Sequence, residues 1–178
     1  MNNYELCENP NTPKELLPGL LTELSKDKDE NTRYYVAGNP YTSKEVLINL
    51  SKDIFDHVRW AVANNKNTPI EIIEVLSEDY FFEIRCTIAK NINTPDRLLA
   101  KLSKDENVRI RCNVVKNPNT PIDILIDLSK DEMWCVRFRV TQNPNTPIEV
   151  LIQLSKDKYN DVSEAAIKAR ADRIALLK

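Results

Sequence analysis

Glycine, histidine and long apolar runs are nearly absent from this 178-residue sequence. It contains two glycines, one histidine and four widely spaced cysteines with no Cys-x-x-Cys pair. This composition excludes a glycine-rich phosphate loop and offers no metal-ligand spacing. No apolar run has the length of a membrane span, and the N-terminus lacks the pattern of a secretory signal. We therefore predict a cytoplasmic protein with reduced thiols, no membrane span, no cofactor and no metal.

Neither sign of charge dominates the chain. Lys plus Arg number 25 against 27 for Asp plus Glu, which gives a net charge of -2. No overall field then attracts nucleic acid or a membrane surface. Any electrostatic recognition has to be local.

Two motifs recur along the chain with the same spacing. Leu-Ser-Lys-Asp, or Leu-Ser-Glu-Asp in one case, begins every 26 residues at Leu24, Leu50, Leu76, Leu102, Leu128 and Leu154. Asn-Pro-Asn-Thr-Pro or a close relative begins at Asn9, Asn39, Asn65, Asn91, Asn117 and Asn143, and from Asn39 onward its spacing is also 26. A fixed period of this length is the signature of a repeat architecture.

Each repeat divides into two predicted helices. The Thr of the junction motif suits an N-cap, with Pro as the first helical residue in most repeats and an acidic residue one turn later. Apolar pairs such as Val46 and Leu47 form the buried stripe of the first helix. We take the Leu that begins each Leu-Ser-Lys-Asp motif as the anchor of its repeat. The second helix buries the positions eight and twelve residues after this anchor. The Asn that follows the second helix suits a left-handed C-cap.

This pattern predicts an all-α solenoid of six tandem helical hairpins in a single domain, residues 1–178. A half-hairpin covers residues 1–8, and the repeats cover 9–38, 39–64, 65–90, 91–116, 117–142 and 143–178, the last ending in a capping helix to about Lys178. Four extra residues around Pro18 and Gly19 predict a kink in the first repeat, with Leu16, Leu17, Leu20, Leu21 and Leu24 facing inward.

One motif and its counterparts in the other repeats resemble the leucine-rich repeat variant family over residues 2 to about 168. The motif runs from Val58-Arg59 through Ala61-Val62-Ala63-Asn64-Asn65 to Asn67-Thr68-Pro69 and Leu76. An Asp followed six residues later by an Arg, as in Asp53 and Arg59, is similar to HEAT-like repeats. The first resemblance implies short or tight helices alternating with α-helices. An iron-sulfur domain can precede the repeats in that family, but only Cys7 precedes the first junction here, so we predict no cluster. The fold resemblance alone says little about activity.

Two regular columns have both a functional and a structural interpretation. The Asp and Arg residues could form a row of anion sites, but identical repetition favours hydrogen bonds that join neighbouring repeats. Aromatic residues ten positions after the anchor, including Tyr34 and Trp60, could stack a ligand, but such a column favours packing between repeats. Cys86 and Cys112 share this column, and the expected helix spacing predicts no disulfide between them.

Helical geometry predicts an exposed ridge seven, eleven and fourteen residues after each anchor. Its residues vary between repeats, as a binding surface should, and its C-terminal half is basic. The candidate partner-binding residues are Tyr35, His57, Lys90, Arg109, Asn113, Lys116, Arg139 and Lys168.

The sequence thus favours a non-enzymatic scaffold that binds a protein or peptide, with an acidic partner suited to the basic half of the ridge. His57 is the only histidine and has no evident catalytic partner. One alternative is a nucleic-acid-binding protein, since some HEAT-like proteins are DNA glycosylases, although the net charge and the short chain argue against it. A passive structural spacer is the other alternative. Neither the partner nor the oligomeric state follows from the sequence.

Overall fold

The computed structural model describes residues 16–175, and every element in this range is an α-helix or a connection between helices. The first helices of the hairpins are α1 (Leu17–Leu24), α3 (Lys44–Leu50), α5 (Ile70–Leu76), α7 (Asp96–Leu102), α9 (Ile122–Leu128) and α11 (Ile148–Leu154). The second helices are α2 (Glu30–Gly38), α4 (Asp56–Asn64), α6 (Phe82–Lys90), α8 (Val108–Lys116), α10 (Trp134–Gln142) and α12 (Asn160–Ala175).

These helices belong to two compact units, residues 1–88 and 89–178. In the first unit, α2 packs along α4, and the short helix α3 contacts both of them. In the second unit, α8 packs along α10 and α10 along α12, while α11 contacts both α10 and α12. Each unit therefore consists of tandem helical hairpins whose second helices lie side by side, the arrangement of an α-solenoid. The prediction of one domain over residues 1–178 stays a prediction.

The core is built from the predicted apolar columns. Leu47, Leu99 and Leu125 of the first helices are completely buried, as are Val62 and Val114 of the second helices. These columns repeat because each helix presents the same side to the interior of its unit. The predicted apolar stripes are thus confirmed in both units. The first helices, at seven residues in most hairpins, are short but α-helical throughout the described range.

The first described hairpin differs in detail from the prediction. Pro18 lies in the first turn of α1, which begins at Leu17, so the proline starts the helix rather than kinking it. Leu16 precedes that helix and is 64% exposed, whereas Leu21 is fully buried. The prediction that Leu16 faces inward was wrong. The half-hairpin predicted for residues 1–8, and Thr12, lie outside the described residues.

The threonine of each junction has a role other than the predicted N-cap. In four described junctions its hydroxyl donates to a carbonyl in the last turn of the preceding second helix, as Thr68 does to Val62. Pro69 and its equivalents Pro95, Pro121 and Pro147 hold the N-cap position instead, without a side-chain cap. The prediction was wrong because the hydroxyl satisfies the end of one helix rather than the start of the next.

The junction asparagines do not adopt the predicted left-handed conformation. Asn65 has a φ of -72° and a ψ of 127°, and no described residue has a positive φ. Its side-chain amide instead donates to the carbonyls of Ala37 and Asn39 at 2.7 and 2.9 Å, and its Oδ1 accepts from the backbone N-H of Asn67. The role of the asparagine is thus to form side-chain hydrogen bonds to the preceding junction, here called the asparagine bridge, and not to adopt a left-handed backbone conformation.

The same bridge recurs in the second unit. Asn117 donates to Ala89 and Asn91, and Asn143 donates to Val115. At the end of the unit, Ala169 stands 26 residues after Asn143, where a further asparagine would be expected. Arg173 of α12 reaches the carbonyls of Asn143 and Thr146 instead. The predicted capping helix is confirmed to Ala175, and Arg173 bonds to the junction rather than only solvating the end.

Candidate functional site

The Arg and Asp column is a set of structural ion pairs. Arg59 donates Nε and Nη2 to the two carboxylate oxygens of Asp79 in the next repeat, at 2.7 and 3.0 Å, and Nη1 to the carbonyls of Asp53 and Ile54 in its own turn. The same pairs join Arg33 to Asp53, Arg111 to Asp131 and Arg137 to Asp157.

The guanidinium groups in these pairs are mostly buried. Arg111 and Arg137 are each 8% exposed. Hydrogen bonds from Arg137 hold the pKa of the Asp157 carboxyl below its ordinary value. The structural interpretation of this column is confirmed, because its donors are already used within the fold and do not form a row of anion sites.

The candidate residues of the first unit, Tyr35 and His57, lie in an aromatic cluster. Tyr34 and Trp60 stack with ring centroids 6.5 Å apart and planes 8° from parallel, so the aromatic column packs between repeats as expected. The His57 ring contacts Tyr34 and Phe55, and its Nε2 is buried with no hydrogen-bond partner among the described residues. A groove of about 590 Å³ lies beside the cluster, lined by Tyr34, Tyr35, Gly38, Asn39, Pro40, Trp60, Ala61 and Asn64. Its lining carries no charge.

The remaining candidate residues lie in the second unit. Lys90, Arg109, Lys116 and Lys168 are exposed, and Arg139 is half-buried. Asn113 is only 8% exposed, so its assignment to the exposed ridge was wrong. Its position, eleven residues after the anchor, lies where α8 packs against a neighbouring second helix, and the equivalent Ala61 of the first unit is 3% exposed. The column at fourteen residues is exposed in every described repeat, the column at seven is exposed or half-buried, and the column at eleven is half-buried or buried.

Two second helices of this unit, α8 and α10, carry charge of one sign only. Helices α8 and α10 contain five Lys or Arg residues and no Asp or Glu. Arg111 and Arg137 are bound in the ion pairs. Arg109 and Lys116 are exposed, and Arg139 is half-buried. Arg139 donates to the side-chain oxygen of Gln142 at 2.8 Å and lies over the Phe138 ring. The net charge of -2 conceals this basic surface.

A groove beside α10 adds apolar surface to these cations. It has a volume of about 500 Å³ and is lined by Trp134, Cys135, Phe138, Arg139, Asp161, Glu164, Ala165 and Lys168. The rings of Trp134 and Tyr159 stack, with their centroids 6.1 Å apart. No three or more His, Cys, Asp or Glu side chains between residues 16 and 175 are arranged to hold a metal ion.

Cys135 brings a thiol into this groove, and its relation to Cys112 was missed at the sequence level. The Cys112 and Cys135 thiols, on the adjacent helices α8 and α10, lie close enough to influence each other electrostatically. Burial raises the pKa of the Cys112 thiol to about 11, with Cys135 acting in the same direction. Cys86, Cys112 and Cys135 form no disulfide in the structure, and Cys7 lies outside the described residues.

These features define an all-helical tandem-repeat protein of the α-solenoid class, a class typical of protein-interaction scaffolds. A solved structure of a leucine-rich repeat variant with a repetitive structural motif is similar to it with a TM-score of 0.53 and 23% identity, covering 94% of this chain and 80% of that one. This likeness shows the fold and confirms the resemblance inferred from the junction motif.

A crystal structure of an engineered protein is also similar, with a TM-score of 0.48 and 14% identity over 98% of both chains. No family model matches the sequence, and no curated protein matches it. No helix in the described part of the chain is both long and apolar enough to cross a membrane.

Proposed function

We propose that this protein is a non-enzymatic, cytoplasmic scaffold that binds an acidic segment of another protein through α8 and α10. The observation that carries the proposal is the charge of these two helices. They present Arg109, Lys116 and Arg139 with no carboxylate on either helix. Complementary charge of this kind speeds association and selects partners.

The groove beside α10 supports a peptide rather than an extended polyanion as the partner. Trp134 and Phe138 provide apolar surface next to Arg139, and aromatic and arginine side chains together are typical of the residues that dominate binding energy in interfaces. Asp161 and Glu164 line the opposite side of the same groove. Their negative charge would repel a continuous phosphate backbone. A peptide can still bind in this groove if its carboxylates are placed toward α8.

Selection from a random peptide display library tests the proposal, because it requires only the protein itself as bait. The wild-type protein should enrich sequences rich in Asp and Glu, and the triple variant Arg109→Glu, Lys116→Glu, Arg139→Glu should not. Each exposed ion pair contributes about 0.2 to 1 kcal/mol, and reversal adds repulsion, so affinity should fall at least about tenfold.

The matched control reverses the same number of charges elsewhere. Lys104, Lys130 and Lys156 are exposed lysines in the turns between helices, and a triple Lys→Glu variant at these positions should retain binding. Selected peptides with no acidic bias, or equal loss in both triple variants, would contradict the proposal. Salt-sensitive binding of duplex or single-stranded DNA that displaces the peptides would favour the nucleic-acid alternative.

A further inference from the structure

The proximity of Cys112 and Cys135 follows from the repeat geometry. The two residues are 23 positions apart, at ten residues after one anchor and seven after the next. The equivalent residues in the first unit, Tyr34 and His57, have ring centroids 5.9 Å apart. Phe138 and Asp161, with the same spacing, line one groove in the second unit. Facing columns of adjacent second helices therefore meet at these positions, and one such pair consists of two thiols.

We propose that Cys112 and Cys135 form a reactive dithiol, which low-molecular-weight anionic disulfides of the oxidised-glutathione type convert to an intramolecular disulfide. The sulfur atoms of a disulfide lie about 2 Å apart. Because Cys112 and Cys135 belong to columns that face each other on adjacent helices, their sulfur atoms can meet through a local movement. Both side chains are half-buried rather than sealed in the core. This inference does not depend on the proposed partner, although it concerns the same face of the molecule.

The surroundings favour an anionic oxidant. Cys135 shares its groove with two cations, Arg139 and Lys168, and with two carboxylates, Asp161 and Glu164. The basic cluster beside the pair consists of Arg139 and Lys116, whose cations lie within electrostatic reach of the Cys112 thiol. Carboxylates of a glutathione-type disulfide are attracted to this cluster, whereas a cationic disulfide is repelled. Cys135 lines the open groove and Cys112 does not, so Cys135 is assigned the first attack. Burial, which disfavours the Cys112 thiolate, supports the same order.

The reaction proceeds in two exchange steps. The Cys135 thiolate attacks one sulfur of the small disulfide, forms a mixed disulfide and releases one small thiolate. The Cys112 sulfur, as thiolate, then attacks Cys135 Sγ, which forms the protein disulfide and releases the second small thiolate. The two protons of the protein thiols pass to the released thiols. Two protein thiols are oxidised and one small disulfide is reduced.

Intact-mass measurement on a Cys7→Ser, Cys86→Ser background tests this sequence of steps. Oxidised glutathione should produce a monomer lighter by two hydrogen atoms, with no glutathione retained. Adding Cys112→Ser should stop the reaction at a stable mixed disulfide on Cys135. Adding Cys135→Ser should slow modification at least about tenfold, because the remaining Cys112 thiol has a raised pKa and forms less thiolate. A persistent mixed disulfide, a covalent dimer or an unchanged mass in the background protein would overturn the proposal.

The charge requirement is tested separately with oxidants of opposite charge. Replacing Lys116 and Arg139 by Gln should slow the reaction with oxidised glutathione about threefold to tenfold and leave the reaction with cystamine unchanged or faster. A matched change of Lys104 and Lys130 to Gln should alter neither rate. Equal slowing with both oxidants would assign the effect to altered packing and refute the role of the cations. All these measurements use the protein alone, so they remain decisive if the acidic partner proves wrong.

Discussion

Replacing Asn117 by Ala removes one bridge between neighbouring junctions in the second unit. The side chain is 1% exposed and makes three hydrogen bonds. Its Nδ2 donates to the carbonyls of Ala89 and Asn91 at 2.9 and 3.0 Å, and its Oδ1 accepts from the backbone N-H of Asn119 at 3.0 Å. The variant removes the Asn117 partner from all three backbone groups, of which the Asn91 carbonyl still accepts from the backbone N-H of Thr94 at 3.0 Å.

The expected cost follows from these contacts. A hydrogen bond in a folded protein contributes about 0.5 to 1.5 kcal/mol, and a buried polar group left unsatisfied costs about 1 to 3 kcal/mol. We expect Asn117→Ala to lower the free energy of unfolding by about 3 kcal/mol, or the melting temperature by about 6 to 12 °C for a chain of this size. Asn117→Asp should cost more, because it replaces the amide donor with a charged oxygen facing two carbonyls.

Urea denaturation followed by circular dichroism measures this difference, and Asn119→Ala supplies the control. Asn119 is exposed and donates one side-chain hydrogen bond, to the carbonyl of Ile92 at 2.7 Å. Its replacement should cost about 1 kcal/mol or less. If Asn117→Ala destabilises no more than Asn119→Ala, the buried bridge does not stabilise the repeat and the reasoning fails.

Two further predictions concern the ionic contacts of the second unit. Hydrogen bonds from Arg137 lower the pKa of Asp157 in the folded state. The stability that this carboxylate contributes is therefore complete above the pKa of about 4 that Asp has in the unfolded chain. It is lost as the pH falls through the lower pKa of the folded state. Arg137→Met should therefore flatten the loss of stability on acidification below about pH 4, and an acid titration identical to wild type would refute this. Arg173→Met should lower the free energy of unfolding by about 1 to 2 kcal/mol through its lost bonds to two carbonyls, whereas the exposed Arg170→Met should change it by less than about 0.5 kcal/mol. Equal effects of these two variants in urea denaturation would contradict the role given to Arg173.

The sequence predicted the hairpins, the buried columns and the role of the arginines because each depends on a pattern inside the repeat. A 26-residue period fixes which side of a helix is apolar, and an Asp and Arg column that recurs from repeat to repeat suggests structure rather than recognition. The same period does not show which side of a second helix faces the second helices of the neighbouring repeats. Asn113 was therefore placed on the surface by the geometry of a single helix, although a neighbouring helix covers its position.

The asparagine bridges and the thiol pair were missed for the same physical reason. Asn65 and Asn117 satisfy carbonyls 26 and 28 residues earlier, and no local rule of helix capping anticipates a bond over that distance. A useful signal was present, since the chain retains Asn at this position even where Pro does not follow it, as at Asn65 and Asn91. Cys112 and Cys135 belong to different columns, so comparing equivalent positions alone did not bring them together.

The bonds between repeats have a direction along the chain. Arg111 reaches 20 residues forward to Asp131, whereas Asn117 reaches 28 residues back to Ala89. A duplicated 26-residue segment inside the second unit would carry its own Arg, which donates to the following repeat, and its own Asn, which donates to the preceding one. Both donors would find the same acceptors that the existing repeats provide. Unequal recombination between the coding segments could thus lengthen or shorten the protein in whole periods, with no new interface to evolve.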